Sequence, residues 1–262
     1  MEGDTNPQQG LVLPFRQQRL EADDSGRRHW RPYEIERRLR PAETALVLCD
    51  IWDTHWCRAA HERLRALLPQ MSRVIEAMRG AGTLIVHAPS DTMAFYRDTP
   101  ARRHVLNAPP VDIPDDLPHA QPPLPIDASG GGCDSTDNIG DPGELVWSRQ
   151  HPAIRIDHAK DVISDDGREL YCLYRQIGIR NVLIMGVHTN MCILNRSFAI
   201  KQMIQWGFTV ALVRDLTDSM YDPERPPYVS HQEGTQLVVA YIEKFWCPTI
   251  ESGALLLAAG AR

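Results

Sequence analysis

No apolar stretch among the 262 residues approaches the roughly 18 needed to cross a bilayer, so a transmembrane helix is not expected. An excess of positive charge is also missing. Twenty-eight Lys and Arg stand against 34 Asp and Glu, a net charge of −6, which excludes a basic footprint for nucleic acid. The one small basic cluster, Arg37, Arg38 and Arg40, directly follows Glu34 and Glu36 and has the pattern of a solvated face of mixed charge. No CxxC pair and no Cys/His zinc spacing occurs among Cys49, Cys57, Cys133, Cys172, Cys192 and Cys247, and a chain of this length does not need disulfide staples. Free thiols in a reducing cytoplasm are the expectation. Residues 1–10 are polar and lack the apolar core of a secretory leader.

What is present reads as one sizeable α/β domain preceded by an arm. Residues 1–40 form that arm. Its first ten positions have a disordered composition, and Leu11 to Ile35 suggests a hairpin around Asp24-Ser25-Gly26. Residues 41–262 form the domain. Short apolar runs, Ala45 to Cys49, Thr83 to His87, Ala153 to Asp157, Val182 to Met185 and Thr209 to Val213, alternate with helical periodicity over Arg58–Gly80, Gly167–Ile177 and Gly234–Phe245. Pro69 should kink the first helix or divide it. Strands that alternate with helices imply crossover connections. The expected fold is a three-layer α/β/α sandwich on a mostly parallel sheet of five or six strands. Residues 89–143, rich in Pro and Gly, interrupt this rhythm as either a functional loop or a partly disordered insertion.

The most informative segment is Gly186-Val-His-Thr-Asn-Met-Cys192. Gly186 ends an apolar strand, and Thr189 or Asn190 can cap the segment that follows. There Ile193, Phe198, Ile200 and Ile204 have helical spacing, so Cys192 falls in a first helical turn. Backbone N–H groups at such a turn favour a thiolate and can hold an oxyanion. The alternative is a cysteine that only fills core volume. Asp50 ends the first buried strand, where desolvation raises a carboxyl pKa toward the range of a general base, although an aspartate there can also cap a helix. Polar groups at the carboxyl ends of parallel strands converge on one crevice, which brings His87 toward the same place.

Leu46-Val-Leu-Cys-Asp50 together with Gly186-Val-His-Thr-Asn-Met-Cys192 resembles the isochorismatase-like cysteine hydrolases, which include nicotinamidases and N-carbamoylsarcosine amidase. The resemblance spans about Pro41 to Cys247. It implies Asp50 as base, Cys192 as nucleophile, a cis peptide between Val187 and His188, and an oxyanion hole from the N–H groups of His188 and Cys192. It also implies a catalytic lysine at the end of the strand that precedes the cysteine strand. With that strand at Ala153–Asp157 the candidate is Lys160, with Arg149 as an alternative cation. Trp52, His55, Trp56, His87, Arg149 and Tyr221 are candidate pocket residues, although the tryptophans can equally pack against the Pro-rich loop. Nicotinamidases hold a metal through an Asp-x-His element. Asp53-Thr-His55 has that spacing but follows Asp50 too closely, and His55, His87 and Asp91 are scattered, so neither metal nor cofactor is expected.

The expected activity is hydrolysis of a C–N bond in a small amide or carbamoyl compound through a cysteine thioester. Two alternatives stand beside it: vinyl-ether hydrolysis by Asp50 alone, and a catalytically silent scaffold of the same fold. The expected partner is a small-molecule substrate, without nucleic acid or membrane, and the resemblance implies a homo-oligomer.

Overall fold

The computed structural model describes residues 10–261. Along the chain lie β1 (Leu11–Ala22), β2 (Arg28–Leu39), β3 (Thr44–Cys49), α1 (Arg58–Gly80), β4 (Leu84–Ala88), α2 (Met93–Tyr96), α3 (Pro100–Leu106), β5 (Val162–Ile163) and α4 (Gly167–Ile177). They are followed by β6 (Asn181–Val187), α5 (Cys192–Asn195), α6 (Ile200–Gln205), β7 (Thr209–Asp218), α7 (His231–Phe245), β8 (Thr249–Ile250) and α8 (Ser252–Ala258). All eight strands form one sheet in the order β2-β1-β8-β7-β6-β3-β4-β5. The six strands from β8 to β5 are mutually parallel, and the β1–β2 hairpin adds an antiparallel edge through Arg16 opposite Thr249. The expectation of disorder for the first residues concerns positions 1–9, which lie outside the described residues.

Alternation along the buried strands divides the core in two. Leu46, Leu48, Leu183 and Met185 face α1 and α8 on one side, with Leu13 and Phe15 of the hairpin. Ala45, Val47, Val182 and Ile184 face α4, α5, α6 and α7 on the other. The structure is therefore three-layered. Every residue of β3 is buried, which explains its unbroken apolar run. The apolar stripe Leu64, Leu68, Met71, Val74, Ile75 and Met78 seats α1 on the sheet, and the helix runs unbroken through Pro69. Packing against the sheet outweighs the local cost of one proline, and neither a division of the helix nor a second start occurs.

Two other expectations are corrected. Ala153 to Asp157 is not a strand; the strand beside β4 is Val162–Ile163, paired at Val86 with Val162 and His87 with Ile163. Ile154 instead joins the core on the α1 side, its N–H bonded to His151 O, while Ile156 packs near Tyr96 and Ile163. The thiols are not all free either, since Cys57 and Cys133 form a disulfide across 76 residues. That bond pins the Pro/Gly-rich insertion to the start of α1, a contact between distant segments that no local spacing signals. It removes the cysteine-based ground for expecting a reducing cytoplasm. No helix among the described residues is long and apolar enough to cross a membrane.

The chain runs from β3 outward to β4 and β5, then returns to the other side of β3 with β6. The sheet's topological switch point thus lies between β3 and β6, where a ligand crevice forms at the carboxyl ends of open α/β sheets. Asp50 follows β3, and the Val187–Cys192 turn ends β6.

Candidate active site

Asp50 adopts a left-handed backbone (φ 50°), a conformation that Asp tolerates better than most residues, and its N–H bonds Ala88 O. It caps no helix, because α1 begins only at Arg58. The side chain is fully buried. Its Oδ1 accepts the Ser90 N–H at 2.8 Å and its Oδ2 accepts Arg196 Nε at 3.1 Å. Burial raises the Asp50 pKa above the usual carboxylate value, and Arg196, Ser90 and Cys192 offset this only in part.

Gly186 makes the opposing turn possible. At its φ of 125° a Cβ would lie 2.0 Å from Cys49 O, so only glycine lets β6 approach β3 this closely. The Val187–His188 peptide is cis. Beyond it, Thr189 N–H bonds Asp218 O, the hydroxyls of Thr189 and Thr217 pair at 2.8 Å, and the Asn190 amide clasps both Met220 N and Met220 O. The end of β7 therefore holds the turn like a splint. Met191 and Ile193 N–H both bond His188 O, whereas the N–H groups of His188 and Cys192 engage no other backbone carbonyl among the described residues. The His188 N–H instead favours a charge on the Cys192 sulfur.

Cys192 lies against Asp50, and burial together with the Asp50 charge holds its thiol far above the ordinary value. This revises the expectation of a dipole-stabilised thiolate. The helix is only one turn, Cys192–Asn195, and the chain breaks before resuming as α6, so the macrodipole behind the sulfur is short. At rest the sulfur carries its proton, next to a carboxylate that can take it.

The cation of the site is Arg196, which sequence reasoning missed. Its N–H bonds Cys192 O, the i,i+4 relation that sets two side chains on one face of a turn, and that spacing was the available signal. Besides Asp50 it donates through Nη2 to Asp91 Oδ2 at 3.3 Å, and Asp50 raises its pKa despite the burial cost. Lys160 is not at the site. It sits exposed in the Asp157–Asp161 turn ahead of β5, at the opposite end of a parallel strand from the crevice. The residues that do end β5 are Ser164 and Asp165, neither of them a cation. Arg149 lies apart as well, over the Phe95 ring and 3.7 Å from Asp53.

Trp52, His55 and Trp56 do gather beside the turn. Trp52 stacks on Trp147 at 4.0 Å, and the His55 ring lies 4.8 Å from that of His188. Burial lowers His55 to about 4 and also holds His188 well below the ordinary imidazole value, so both rings are neutral at pH 7. Trp147 comes from the segment that follows the insertion, and Trp56 packs under Gly131 and Cys133 of the insertion, so these tryptophans pack against the loop, the alternative expected for them. His87 and Tyr221 are structural instead. The two His87 ring nitrogens face Gln150 and Asp161, and Tyr221 is core, its hydroxyl donating to Arg225 O.

The Asp-x-His element does not fit a metal. Asp53 accepts from Ser148 N and Oγ, His55 Nδ1 accepts the Cys57 N–H, and no group of three ligating side chains converges among the described residues. A cavity of about 850 Å³ opens between β7 and α7, but neither Asp50 nor Cys192 lines it. Most of its charges are paired: Arg63 bonds Asp134 and Asp218, His231 bonds Asp218, and Arg214 bonds Glu251.

The model of the isochorismatase domain matches residues 44–226. A search of the curated proteins found no match. Among solved structures, a cysteine hydrolase from Pseudomonas syringae pv. phaseolicola 1448A is 14% identical with a TM-score of 0.53, over 85% of this chain and 94% of that one. An isochorismatase family protein from Burkholderia thailandensis is 14% identical, over 84% and 97%, with a TM-score of 0.47. An isochorismatase from Pseudomonas putida KT2440 is 12% identical, over 81% and 90%, with a TM-score of 0.47.

Proposed function

The chain belongs to the isochorismatase family, a family of hydrolases, and we propose that it cleaves the C–N bond of a small amide or carbamoyl compound through a thioester on Cys192. One observation carries this reading: the Cys192 thiol and the Arg196 guanidinium share a single, fully buried carboxylate, Asp50.

Asp50 takes the Sγ proton as sulfur attacks the carbonyl carbon. The N–H groups of His188 and Cys192 receive the oxyanion, a contribution of ~3–4 kcal/mol per donor in comparable sites. Asp50 returns the proton to the departing nitrogen, and the C–N bond breaks. Water then attacks the thioester with Asp50 again as base, releasing the acid and restoring the thiol. Arg196 keeps Asp50 ionised between proton transfers, the part that the family resemblance gave to a lysine. The raised Asp50 pKa also suits a second reading, in which the protonated acid cleaves a vinyl ether without the thiol.

An electrophilic amide analogue should modify Cys192 alone, as read by peptide mass mapping. Labelling of another cysteine with Cys192 untouched would contradict the thioester route, and a Cys192→Ser enzyme with full activity would favour the second reading. The proposal includes a homo-oligomer that acts on a small molecule; sedimentation at micromolar concentration checks the assembly.

A further inference from the structure

Ser90 lies two residues beyond β4, buried at 2% exposure, and its backbone is fixed from both sides. Its N–H donates to Asp50 Oδ1, while its C=O accepts the indole N–H of Trp52 at 3.0 Å and of Trp147 at 3.1 Å. With both peptide units held, the hydroxyl has little freedom to find another place. That hydroxyl is buried and has no hydrogen-bond partner among the described residues. The neighbouring Thr92 hydroxyl shows the usual outcome, donating to Pro89 O at 2.6 Å. A buried hydroxyl left without a partner loses its bonds to water for nothing in return, and native structures keep few such groups. The other unpartnered atoms, on His61, Thr83, Tyr174, Arg214 and Ser219, belong to residues without a bond to Asp50. Ser90 Oγ faces the Asp50 carboxylate closely enough to favour its charge, yet makes no bond of its own to it.

We propose that Ser90 Oγ is a catalytic group for the second half-reaction, holding the water that hydrolyses the Cys192 thioester. This rests on the thioester reading above. In the acylation step the nucleophile is the thiol, already placed beside Asp50, and Ser90 Oγ has no nucleophile to hold. In the deacylation step the nucleophile must be positioned from solvent. One water O–H faces Asp50, and the other donates to Ser90 Oγ, which leaves a lone pair for the carbonyl carbon. The O–C bond forms as Asp50 takes the first proton. The C–S bond then breaks, the product leaves as the acid, and the proton passes from Asp50 to sulfur.

The Ser90→Ala variant tests this, because alanine keeps the backbone N–H and C=O and removes only the hydroxyl. With a small amide that the wild type turns over, kcat should fall about tenfold, the effect of one hydrogen bond in the transition state. KM should fall in parallel and kcat/KM should stay within about twofold, since acylation is untouched. Acid-quenched intact-protein mass spectra should show the acyl group accumulating on Cys192, and Ser90→Thr, which keeps a hydroxyl, should restore turnover. A fall in kcat/KM equal to that in kcat, without acyl-enzyme, would overturn the role of Ser90 while leaving the thioester in place, as would an unchanged kcat without acyl-enzyme. Turnover by the wild type and the Ser90→Ala variant with no acyl-enzyme on Cys192 in either, even with hydroxylamine as trap, would overturn both.

Discussion

Two buried aspartates, each bonded to an arginine, flank strands of the one sheet, Asp50 just after β3 and Asp161 just before β5, and behave in opposite ways. Asp161, just before β5, accepts Arg79 through Nε at 2.9 Å and Nη2 at 2.7 Å, His87 Nε2 at 2.9 Å and the Asp157 N–H at 2.8 Å. Burial works against its charge, but His87, Arg79 and Asp157 outweigh it and hold the carboxyl well below the usual range. Asp50, equally buried, has one backbone N–H and one guanidinium N–H, with only the weakly donating Cys192 thiol beside them, and its pKa goes up. Arginine is common to both; the number of donors differs. A saturated carboxylate is an anchor that ties α1, β4 and the 150–161 segment together. An undersupplied one keeps proton affinity in reserve, which is what a base near neutral pH requires.

The widest test of this contrast is to neutralise each in turn. Asp50→Asn should cut turnover by about 10⁴-fold, as loss of a catalytic proton carrier does, with thermal stability unchanged or raised because a costly buried charge has gone. Asp161→Asn should leave the buried Arg79 with only the half-exposed Glu76 as counter-ion and lose about 3 kcal/mol of stability, with far less effect on turnover in the folded fraction. Equal stability losses in thermal melts would erase the distinction.

Removal of the weaker donor comes next. Arg196→Met should lower kcat/KM about 100-fold, by analogy with the loss of one electrostatic donor at a reacting site. Because Arg196 lowers the Asp50 pKa, its loss should also move the acid limb of the pH–rate profile to higher pH. An unmoved limb would detach Arg196 from Asp50. Lys160→Met, which changes an exposed turn, should alter neither quantity.

A third cluster sharpens the contrast at smaller scale. His231 bonds Asp218 and Asp134, the group that backs the Thr189 turn through Asp218 O. Burial opposes its charge, yet the two carboxylates raise it to about 9. A raised histidine contributes stability that is complete below its unfolded value near 6.5 and disappears as pH rises through about 9. The wild type should therefore lose stability between those values, and His231→Gln should flatten that slope in denaturant midpoints measured across the window.

The parallel sheet, the crevice and the pair Asp50 and Cys192 were legible because each depends on local patterns: unbroken apolar runs, the stop at Gly186, and a polar group directly after a strand. What was not legible depends on chain segments that meet only in the folded state. A two-residue strand carries almost no periodicity, so apolar pattern alone points to 153–157 rather than β5, and puts Lys160 at the wrong end of a strand with it. Arg196 stood four residues from Cys192 in plain view, but its meaning required the break after α5 that turns it back toward Asp50. The Cys57–Cys133 bond and the Trp52–Trp147 stack arise where the insertion closes over the start of α1, and spacings of 76 and 95 positions leave no trace in composition.

The most direct test is a carboxyl ¹³C titration of the folded protein, with Asp50 assigned by its absence in Asp50→Asn and Asp161 by its absence in Asp161→Asn. Asp50 should titrate above the ordinary aspartate value of 3.8, and Asp161 should remain ionised below it until the protein unfolds. An Asp50 that titrates at or below 3.8 alongside Asp161 would contradict the assignment of one carboxylate to chemistry and the other to structure.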